Sequence, residues 1–410
     1  MSTVRPLKAL RPRKDLVSQI AALPYDVYNR EEAKREVERE PLSFLRIDRA
    51  ETQFADSVDT YAACVYEKAN EILLEMIANE SFLSEDKQVY YIYELTMEGR
   101  SQTGIVGCAS IDDYENNRIK KHENTRVEKE ADRIMHVDTL NAQTGPIFLA
   151  YRAHKAIDRI VDKTKTEKAE YDFTSPDHVS HRVWVIREDA DIAEIERAFE
   201  TIDSIYIADG HHRAASAVKV GLKRRMEHKN FTGEEEFNYF LSVLFPHNQL
   251  MILDYNRVVK DLNGKSREEV MDLIAEKFLV EKMDAAYKPE KKGIIGMYIN
   301  QEWYRLTAKA DILKDHPVEG LDVALLQNEI LTPILGIIDP KTDTRIDFVG
   351  GIRGLSELER RCHEDMMLAF SMYPTSIEEL FDVADAGLLM PPKSTWFEPK
   401  LRSGIFIHQI

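Results

Sequence analysis

The sequence predicts an α+β protein, and three observations support this fold class. Apolar residues recur with a 3.6-residue period from Val58 to Met76, which is typical of a long amphipathic helix. Gln88–Thr96 and Thr103–Ile111 are rich in β-forming residues and flank a short turn, so they predict a hairpin. Apolar runs of strand length at Arg182–Ile186 and Ser204–Ala208 each follow a polar or helical stretch, as layered α and β structure requires.

The N-terminal region carries a turn signal, a helix and a strand signal ahead of the long helix. Leu23–Asp26 contains a proline and reads as a turn. Asn29 followed by Glu32 predicts a capped helix start, and that helix ends at Pro41. Ser43–Asp48 alternates enough between apolar and polar residues to predict a strand.

The C-terminal half continues the alternation of helices and strands. The pattern predicts strands at Phe237–Phe245 and Gln249–Val259, a helix from Arg267 to Phe278, a hairpin of Gly293–Ile299 with Trp303–Thr307, and a helix at Ser376–Ala386. We place domain boundaries near residues 115 and 260. The expected segments are an N-terminal α/β region (1–115), a central core (116–260) and a C-terminal α/β region (261–410).

Composition and charge exclude several classes of protein. Hydrophobic residues make up 43% of the 410 residues, which excludes wholesale disorder. With 55 Lys and Arg against 72 Asp and Glu, the net charge of -17 argues against a nucleic-acid partner. The 3 cysteines form no CxxC pair, residues 1–15 lack an apolar leader, and no apolar run is long enough to cross a membrane. These features predict a cytoplasmic protein without a membrane partner.

The segment with the strongest chemical signal is IYIADGHHRAAS, residues 205–216. An apolar strand ends at Asp209, Gly210 permits a tight turn, and a helix begins at His211. Unpaired N–H groups at a helix N-terminus bind anions, and His211, His212 and Arg213 add donors for phosphate oxygens. Asp209 is suited to orient a substrate or to hold Mg²⁺. The alternative is that this histidine pair has only a structural role.

The same motif resembles the signature of the ParB/sulfiredoxin-like superfamily, and it is closest to the free-serine kinases, which carry the same DGHHR string. The whole chain resembles a large, uncharacterised ParB-like family of bacteria and archaea. The segments that carry this resemblance are LPYDV (23–27), KHENTRVEKEADR (121–133), DGHHRAASA (209–217), LDYNRVVKDL (253–262) and MPPKSTWFEPKLRSG (390–404).

The resemblance implies a ParB/sulfiredoxin-like mixed-sheet core with N- and C-terminal α/β additions. Sulfiredoxins have a catalytic cysteine and ParB-type switches a glutamate where this chain has His211, whereas the free-serine kinases have histidine. The implied function is therefore a nucleotide-dependent phosphotransferase, a small-molecule kinase. It would use ATP or ADP with Mg²⁺ to convert free L-serine to O-phospho-L-serine, or run in reverse. Gly210, His211, His212 and Arg213 would bind the phosphates.

A second motif precedes the first along the chain. We expect a helix from Glu123 to Leu140, on which Glu123, Arg126, Glu130 and Arg133 line one stripe and Val127, Ala131 and Ile134 form an apolar anchor. The alternative is a solvated face of intrahelical ion pairs. The resemblance implies that a glutamate here is the catalytic base. Glu123 fits best, Glu128 and Glu130 remain alternatives, and residues 140–200 would then be an insertion.

Further residues complete the expected site. Arg126, Glu130 and Arg257 are candidate substrate-binding residues, and Asp209 is the candidate metal ligand. The alternative for Arg257 is a position in a surface turn. Residues 393–397 are either a nucleotide-facing loop or a core-anchoring segment, and His178 and His181 are expected to be loop histidines rather than zinc ligands. The expected partners are an amino acid and a nucleotide, with a homodimer left open. The rival functions are a ParB-like nucleotide switch without catalysis and a metal-dependent phosphoesterase or nuclease.

Overall fold

The computed structural model describes residues 2–410, which form two compact units. The first unit contains residues 2–250 together with 399–410, and the second contains residues 251–398. The second unit is therefore inserted, along the chain, before the final segment of the first.

The first unit alternates helices and strands. In the described residues its helices are α1 (Val17–Ile20), α2 (Arg30–Arg39), α3 (Leu45–Asp48), α4 (Ala63–Ala78), α5 (Ile111–Glu115), α6 (Val127–Leu140), α7 (Lys155–Thr164), α8 (Asp189–Glu200) and α9 (His211–Glu227). Its strands up to residue 250 are β1 (Val4–Arg5), β2 (Leu10–Pro12), β3 (Phe82–Ser84), β4 (Tyr90–Met97), β5 (Arg100–Ser110), β6 (Ile119–Lys120), β7 (Ala142–Gln143), β8 (Ile147–Tyr151), β9 (Tyr171–Thr174), β10 (Ser180–Ile186), β11 (Ile205–Asp209) and β12 (Tyr239–Pro246).

The second unit contains a smaller antiparallel sheet and its own helices. The strands are β13 (Ile252–Leu253), β14 (Tyr255–Val259), β15 (Phe278–Met283), β16 (Ile294–Ile299), β17 (Glu302–Ala308), β18 (Ile346–Gly350), β19 (Leu368–Ser371) and β20 (Trp396–Phe397). The helices are α10 (Arg267–Lys277), α11 (Asp322–Leu326), α12 (Gly354–Glu364) and α13 (Ile377–Asp385). The main sheet has the order β15-β17-β16-β19-β14-β18. The final strand of the chain, β21 (His408–Gln409), belongs to the first unit.

The main sheet of the first unit has the strand order β6-β11-β8-β12-β5-β4-β10-β9, and β1 also pairs with β5. β11 runs parallel to β6 and antiparallel to β8, while β12 runs parallel to β8. The sheet is therefore mixed, and the predicted α+β fold class is confirmed. A hydrophobic core lies between this sheet and α7, α8 and α9, and another core joins α3, α4 and the end of α6.

The predicted division at residue 115 differs from the structure. β5, which ends before that position, pairs with β12, which lies well after it, so both belong to one sheet. The chain passes from the first unit to the second between residues 250 and 251. The sequence pattern does not show that residues 399–410 return to the first unit, because this return depends on long-range contacts.

Most predicted elements of the first unit are present. Asn29 caps α2 in a capping box with Glu32, and β4 and β5 form the predicted hairpin across a turn at residues 98–99. The strand predicted at Ser43–Asp48 is wrong, because Leu45–Asp48 is a short helix. Short apolar runs do not distinguish a strand from a buried helical turn. Among residues 2–410, no helix combines the length and apolar character needed to traverse a lipid bilayer.

The last twelve residues are fixed to the first unit at several points. Ser403 exchanges backbone hydrogen bonds with Ala22, and Ile407 does the same with Leu10. The buried guanidinium of Arg402 pairs with Asp177 at 2.5 Å. Gly404 has a φ of +80°, and an added Cβ there would lie 2.5 Å from the Phe44 ring. This close approach requires glycine.

We expect Gly404→Ala to destabilise the first unit more than Gly99→Ala. Gly99 has a similar φ of +78°, but a Cβ there would meet nothing within 4 Å. Both variants therefore carry about 1–2 kcal/mol of backbone strain, and overlap with Phe44 adds roughly 1–3 kcal/mol at Gly404 alone. Denaturant unfolding followed by circular dichroism measures the difference. Equal losses of stability would contradict the close packing of the C-terminal segment.

Candidate functional site

The DGHHR motif forms a sharp corner between β11 and α9. β11 ends at Asp209, Gly210 adopts the left-handed region at φ +92°, and α9 begins at His211, as predicted. The carboxylate of Asp209 accepts a hydrogen bond from the Gly210 N–H at 2.9 Å. The Arg213 side chain folds back over Gly210 and donates to the Pro146 carbonyl at 2.6 Å. A side chain at position 210 would be strained and would crowd this guanidinium.

The second motif reaches this corner through strand pairing. Ile119 and Lys120 of β6 pair in parallel with Ile205 and Tyr206 of β11, so both strands end at the same edge of the sheet. The segment that follows β6 therefore runs beside the motif, and the His122 ring packs edge-on against the His211 ring with centroids 4.5 Å apart. Residues 140–200, the expected insertion, contribute to the sheet that carries the motif. They supply β8, β9 and β10 of the same sheet.

Asp209 lies among cationic side chains. Its Oδ2 is 3.3 Å from the ammonium of Lys400 and 3.8 Å from the guanidinium of Arg213. Burial alone would raise the pKa of Asp209, but these two cations outweigh that effect and hold the pKa well below its usual range. The sequence does not predict the role of Lys400, although it lies in segment 390–404, because a lysine far along the chain gives no local sign of its partner.

The surroundings of the corner favour the neutral form of its imidazoles. Burial lowers the pKa of His122 to about 4, and burial and the adjacent His122 ring lower the pKa of His211 well below its usual value. His122 Nδ1 and His211 Nε2 are buried and have no hydrogen-bond partner within the described part of the chain. The Nε2 atom of His212 accepts a hydrogen bond from the Arg126 backbone N–H at 2.9 Å. These rings therefore offer hydrogen-bonding atoms, and Arg213 and Lys400 carry the positive charge.

Helix α6 differs from its prediction in start and orientation. It begins at Val127, so Glu123 and Arg126 precede it in the connecting loop. Val127 is 84% exposed, whereas Glu130 and Arg133 are buried. The expected apolar anchor therefore faces outward, and part of the charged stripe faces the protein. The alternative of a wholly solvated ion-pair face does not describe this helix.

The candidate base residues have different surroundings. Glu130 accepts a hydrogen bond from Thr125 at 2.7 Å and pairs with Lys219. Burial opposes these two partners, but they still lower the pKa of Glu130. Glu128 is exposed in the first turn of α6, and Glu123 is half-buried in the loop beside the corner. Glu130 is therefore held as part of the α6–α9 contact, while Glu123 follows the residue that touches His211.

Two adjoining cavities lie beside the corner. The larger has a volume of about 230 Å³. The smaller shares Tyr25, Asp48, Arg133 and His136 with the larger, and it is also lined by Arg213. The sequence predicts a turn at Tyr25 and Asp26, and these residues do form a 3₁₀ turn at Tyr25–Val27. That turn also lines the larger cavity.

Other predicted residues lie elsewhere. Arg257 is buried within β14 of the second unit and donates to the backbone carbonyls of Tyr255 and Lys393. Burial lowers the pKa of its guanidinium to about 10. Residues 393–397 include β20, which pairs with β13, so they anchor the second unit. His178 is an exposed loop residue as predicted, but His181 is buried within β10.

The motif offers a carboxylate for a metal but not a preformed metal cluster. Within residues 2–410, no group of three or more His, Cys, Asp or Glu side chains is close enough to hold a metal ion. Mg²⁺ is commonly bound by one or two carboxylates together with substrate phosphates and water. Asp209 supplies one carboxylate at the corner.

Comparison with known proteins identifies a family. The family model described as "Protein of unknown function (DUF1015)" matches residues 4–324. No curated protein gives a significant match.

Solved structures give only distant similarities. C-terminally truncated SbnI from Staphylococcus aureus aligns at a TM-score of 0.39 and 11% identity, over 72% of this chain and 82% of that chain. A free serine kinase variant in complex with AMP aligns at a TM-score of 0.36 and 14% identity, over 76% of this chain and 88% of that chain. A conserved hypothetical protein from Pyrococcus furiosus aligns at a TM-score of 0.34 and 14% identity, over 73% of this chain and 93% of that chain. Because these TM-scores are low, none of them indicates what this chain binds. The family match does cover most of the sequence, and the chain belongs to the DUF1015 family.

Proposed function

We propose that this protein is a nucleotide-dependent phosphotransferase that acts on the hydroxyl group of a small molecule, with free L-serine as the first acceptor to test. The observation that carries the proposal is the corner at residues 209–213. Arg213 and Lys400 flank Asp209 there, and parallel pairing of β6 with β11 brings the Glu123 loop to the same edge. The DGHHR resemblance to the free-serine kinases supports this reaction and acceptor.

Each group of the corner has a role suited to phosphoryl transfer. The N–H groups at the start of α9 and the charges of Arg213 and Lys400 would neutralise phosphate oxygens of ATP or ADP. Transfer breaks the bond from the terminal phosphorus to its bridging oxygen and forms a bond to the acceptor oxygen. The proton of the acceptor hydroxyl passes to the carboxylate of Glu123. Asp209 would bind Mg²⁺ together with the phosphates, and that ion would supply further charge neutralisation.

The neutral histidines limit what the corner can do. Because His122 and His211 are buried and uncharged, they would act as hydrogen-bond partners for phosphate or hydroxyl groups rather than as cations. The positive charge available to the nucleotide therefore depends on Arg213 and Lys400. This makes Arg213 the most informative residue to change.

We expect purified protein with Mg²⁺, L-serine and either ATP or ADP to form phosphoserine, detected by mass spectrometry. Arg213→Ala removes a charged donor from the corner and is expected to lower kcat/KM by about 100-fold or more. Arg197→Ala is the matched control, because Arg197 is exposed on α8 and contacts a backbone carbonyl of its own helix. Full activity of Arg213→Ala would contradict the proposal. Nucleotide binding without turnover would favour a non-catalytic switch.

Substitution of the candidate bases separates their roles. Glu123→Gln is expected to lower kcat by roughly 10²–10⁴-fold, because amides cannot accept the hydroxyl proton. Glu128→Gln, on the exposed first turn of α6, is the control and is expected to keep its activity. Glu130→Gln is expected to reduce thermal stability through loss of the Lys219 pair. If Glu123→Gln keeps full kcat while Glu128→Gln loses it, the assignment of the base is wrong.

The neutral imidazole of His122 predicts a pH dependence of stability. Its folded pKa is about 4, whereas an unfolded histidine has a pKa of about 6.5. Below about pH 6.5 the unfolded state binds a proton that the folded state does not, so stability falls as pH falls towards 4. His122→Gln removes this titrating group. It is therefore expected to reduce the slope of the free energy of unfolding against pH by up to about 1.4 kcal/mol per pH unit. Urea unfolding of both proteins at several pH values measures this slope. The same slope in His122→Gln and in the wild type would contradict burial of a neutral ring.

A further inference from the structure

The larger of the two adjoining cavities has the size of a site for a small metabolite. Its volume is about 230 Å³, below the ~300–1,000 Å³ of pockets that hold drug-sized ligands. It is enclosed by the 3₁₀ turn at Tyr25–Val27, the end of α3, and facing residues of α4 and α6. The elements around it come from the N-terminal region as well as from the motif helices.

The lining of this cavity carries charges of both signs. Arg49, Lys129 and Arg133 supply positive charge. Asp26, Asp48, Glu51 and Asp132 supply negative charge. A free phosphate or a nucleotide would meet several carboxylates here, which is unfavourable for a multiply charged anion. A ligand that carries one ammonium and one carboxylate matches both sets.

Among the cations of the lining, Arg133 is held in place by its neighbours. This guanidinium stacks on the Tyr25 ring at 4.0 Å and pairs with Asp132 at 2.8 Å. The Tyr66 hydroxyl donates to the other oxygen of Asp132 at 2.9 Å. A planar guanidinium held in this way is well placed to bind a carboxylate through two parallel hydrogen bonds.

One carboxylate of the lining, that of Asp48, is buried and has uncharged closest partners. Asp48 is 5% exposed and accepts a hydrogen bond from the Thr144 hydroxyl at 2.9 Å. The nearest imidazole, His136, lies 3.8 Å away, and burial keeps it neutral by lowering its pKa to about 3. A buried carboxylate without a directly paired cation is costly, so an ammonium group from a ligand would stabilise it.

We propose that this cavity binds the zwitterion of a small α-amino acid, with Arg133 for its carboxylate and Asp48 for its ammonium group. Asp48, Arg133, Tyr25 and His136 also line the smaller cavity, where Arg213 of the corner is present. The ligand would therefore lie next to the phosphate-binding corner. Its role as the phosphoryl acceptor rests on the proposed function, whereas its binding does not.

Isothermal titration calorimetry without nucleotide tests the proposal. The probes are L-serine, ethanolamine, which lacks the carboxylate, and L-glycerate, which lacks the ammonium group. We expect L-serine to bind at least about tenfold more tightly than either analogue. Equal affinity for an analogue, or no binding of L-serine, would overturn the zwitterion site.

Variants with matched controls test the location. Asp48→Asn keeps the shape and removes the charge, and it is expected to weaken L-serine binding about tenfold or more. The control is Asp56→Asn at an exposed position. Ala69→Leu fills the cavity from α4 and is expected to abolish binding, whereas Ala63→Leu on the exposed start of the same helix is expected to retain it. Wild-type affinity in Asp48→Asn or Ala69→Leu would overturn the proposal.

The two proposals fail in different ways. L-serine binding that needs Asp48, in a protein that makes no phosphoserine, would contradict the phosphotransferase and leave the binding site intact. Phosphoserine formation with unchanged KM for L-serine in Ala69→Leu would contradict the binding site and leave the phosphotransferase intact.

Discussion

The left-handed conformation of Gly210 is the constraint on which the candidate site depends. It lets α9 begin immediately after β11, so the carboxylate of Asp209 and the first turn of α9 point to the same edge of the sheet. It also leaves room for the Arg213 guanidinium to fold back towards the Pro146 carbonyl. An ordinary residue at this position would strain the corner and displace the arginine, because a Cβ there would lie 3.1 Å from the guanidinium.

The charge distribution explains how an acidic protein can offer a site for anions. The net charge is -17, yet Arg213 and Lys400 converge on the single carboxylate of Asp209. The neighbouring cavity is different, because its cations are accompanied by at least as many carboxylates. The linings of the two adjacent environments thus differ in net charge, and the proposed phosphate site does not depend on general electrostatic attraction by the whole protein.

Local sequence signals predict the elements of the motif well and its surroundings poorly. The strand, turn and helix at residues 205–216 follow from residue types within one short segment, as does the capping box of Asn29 and Glu32. The orientation of α6 does not, because a buried charged stripe is stabilised by Lys219, Tyr66 and Tyr25 from distant segments. Periodicity assigns apolar residues to the inside, and it fails where a helix lines a polar cavity.

The order of segments along the chain bears on how the molecule is made. Lys400 and Ser403 leave the ribosome after the whole of the second unit, although their contacts are with residues of the first. During synthesis, the sheet of the first unit is therefore translated long before the lysine beside Asp209 exists. Nascent chains acquire this ion pair late, and a polypeptide that stops short of residue 399 would present an aspartate with one of its two cationic neighbours missing.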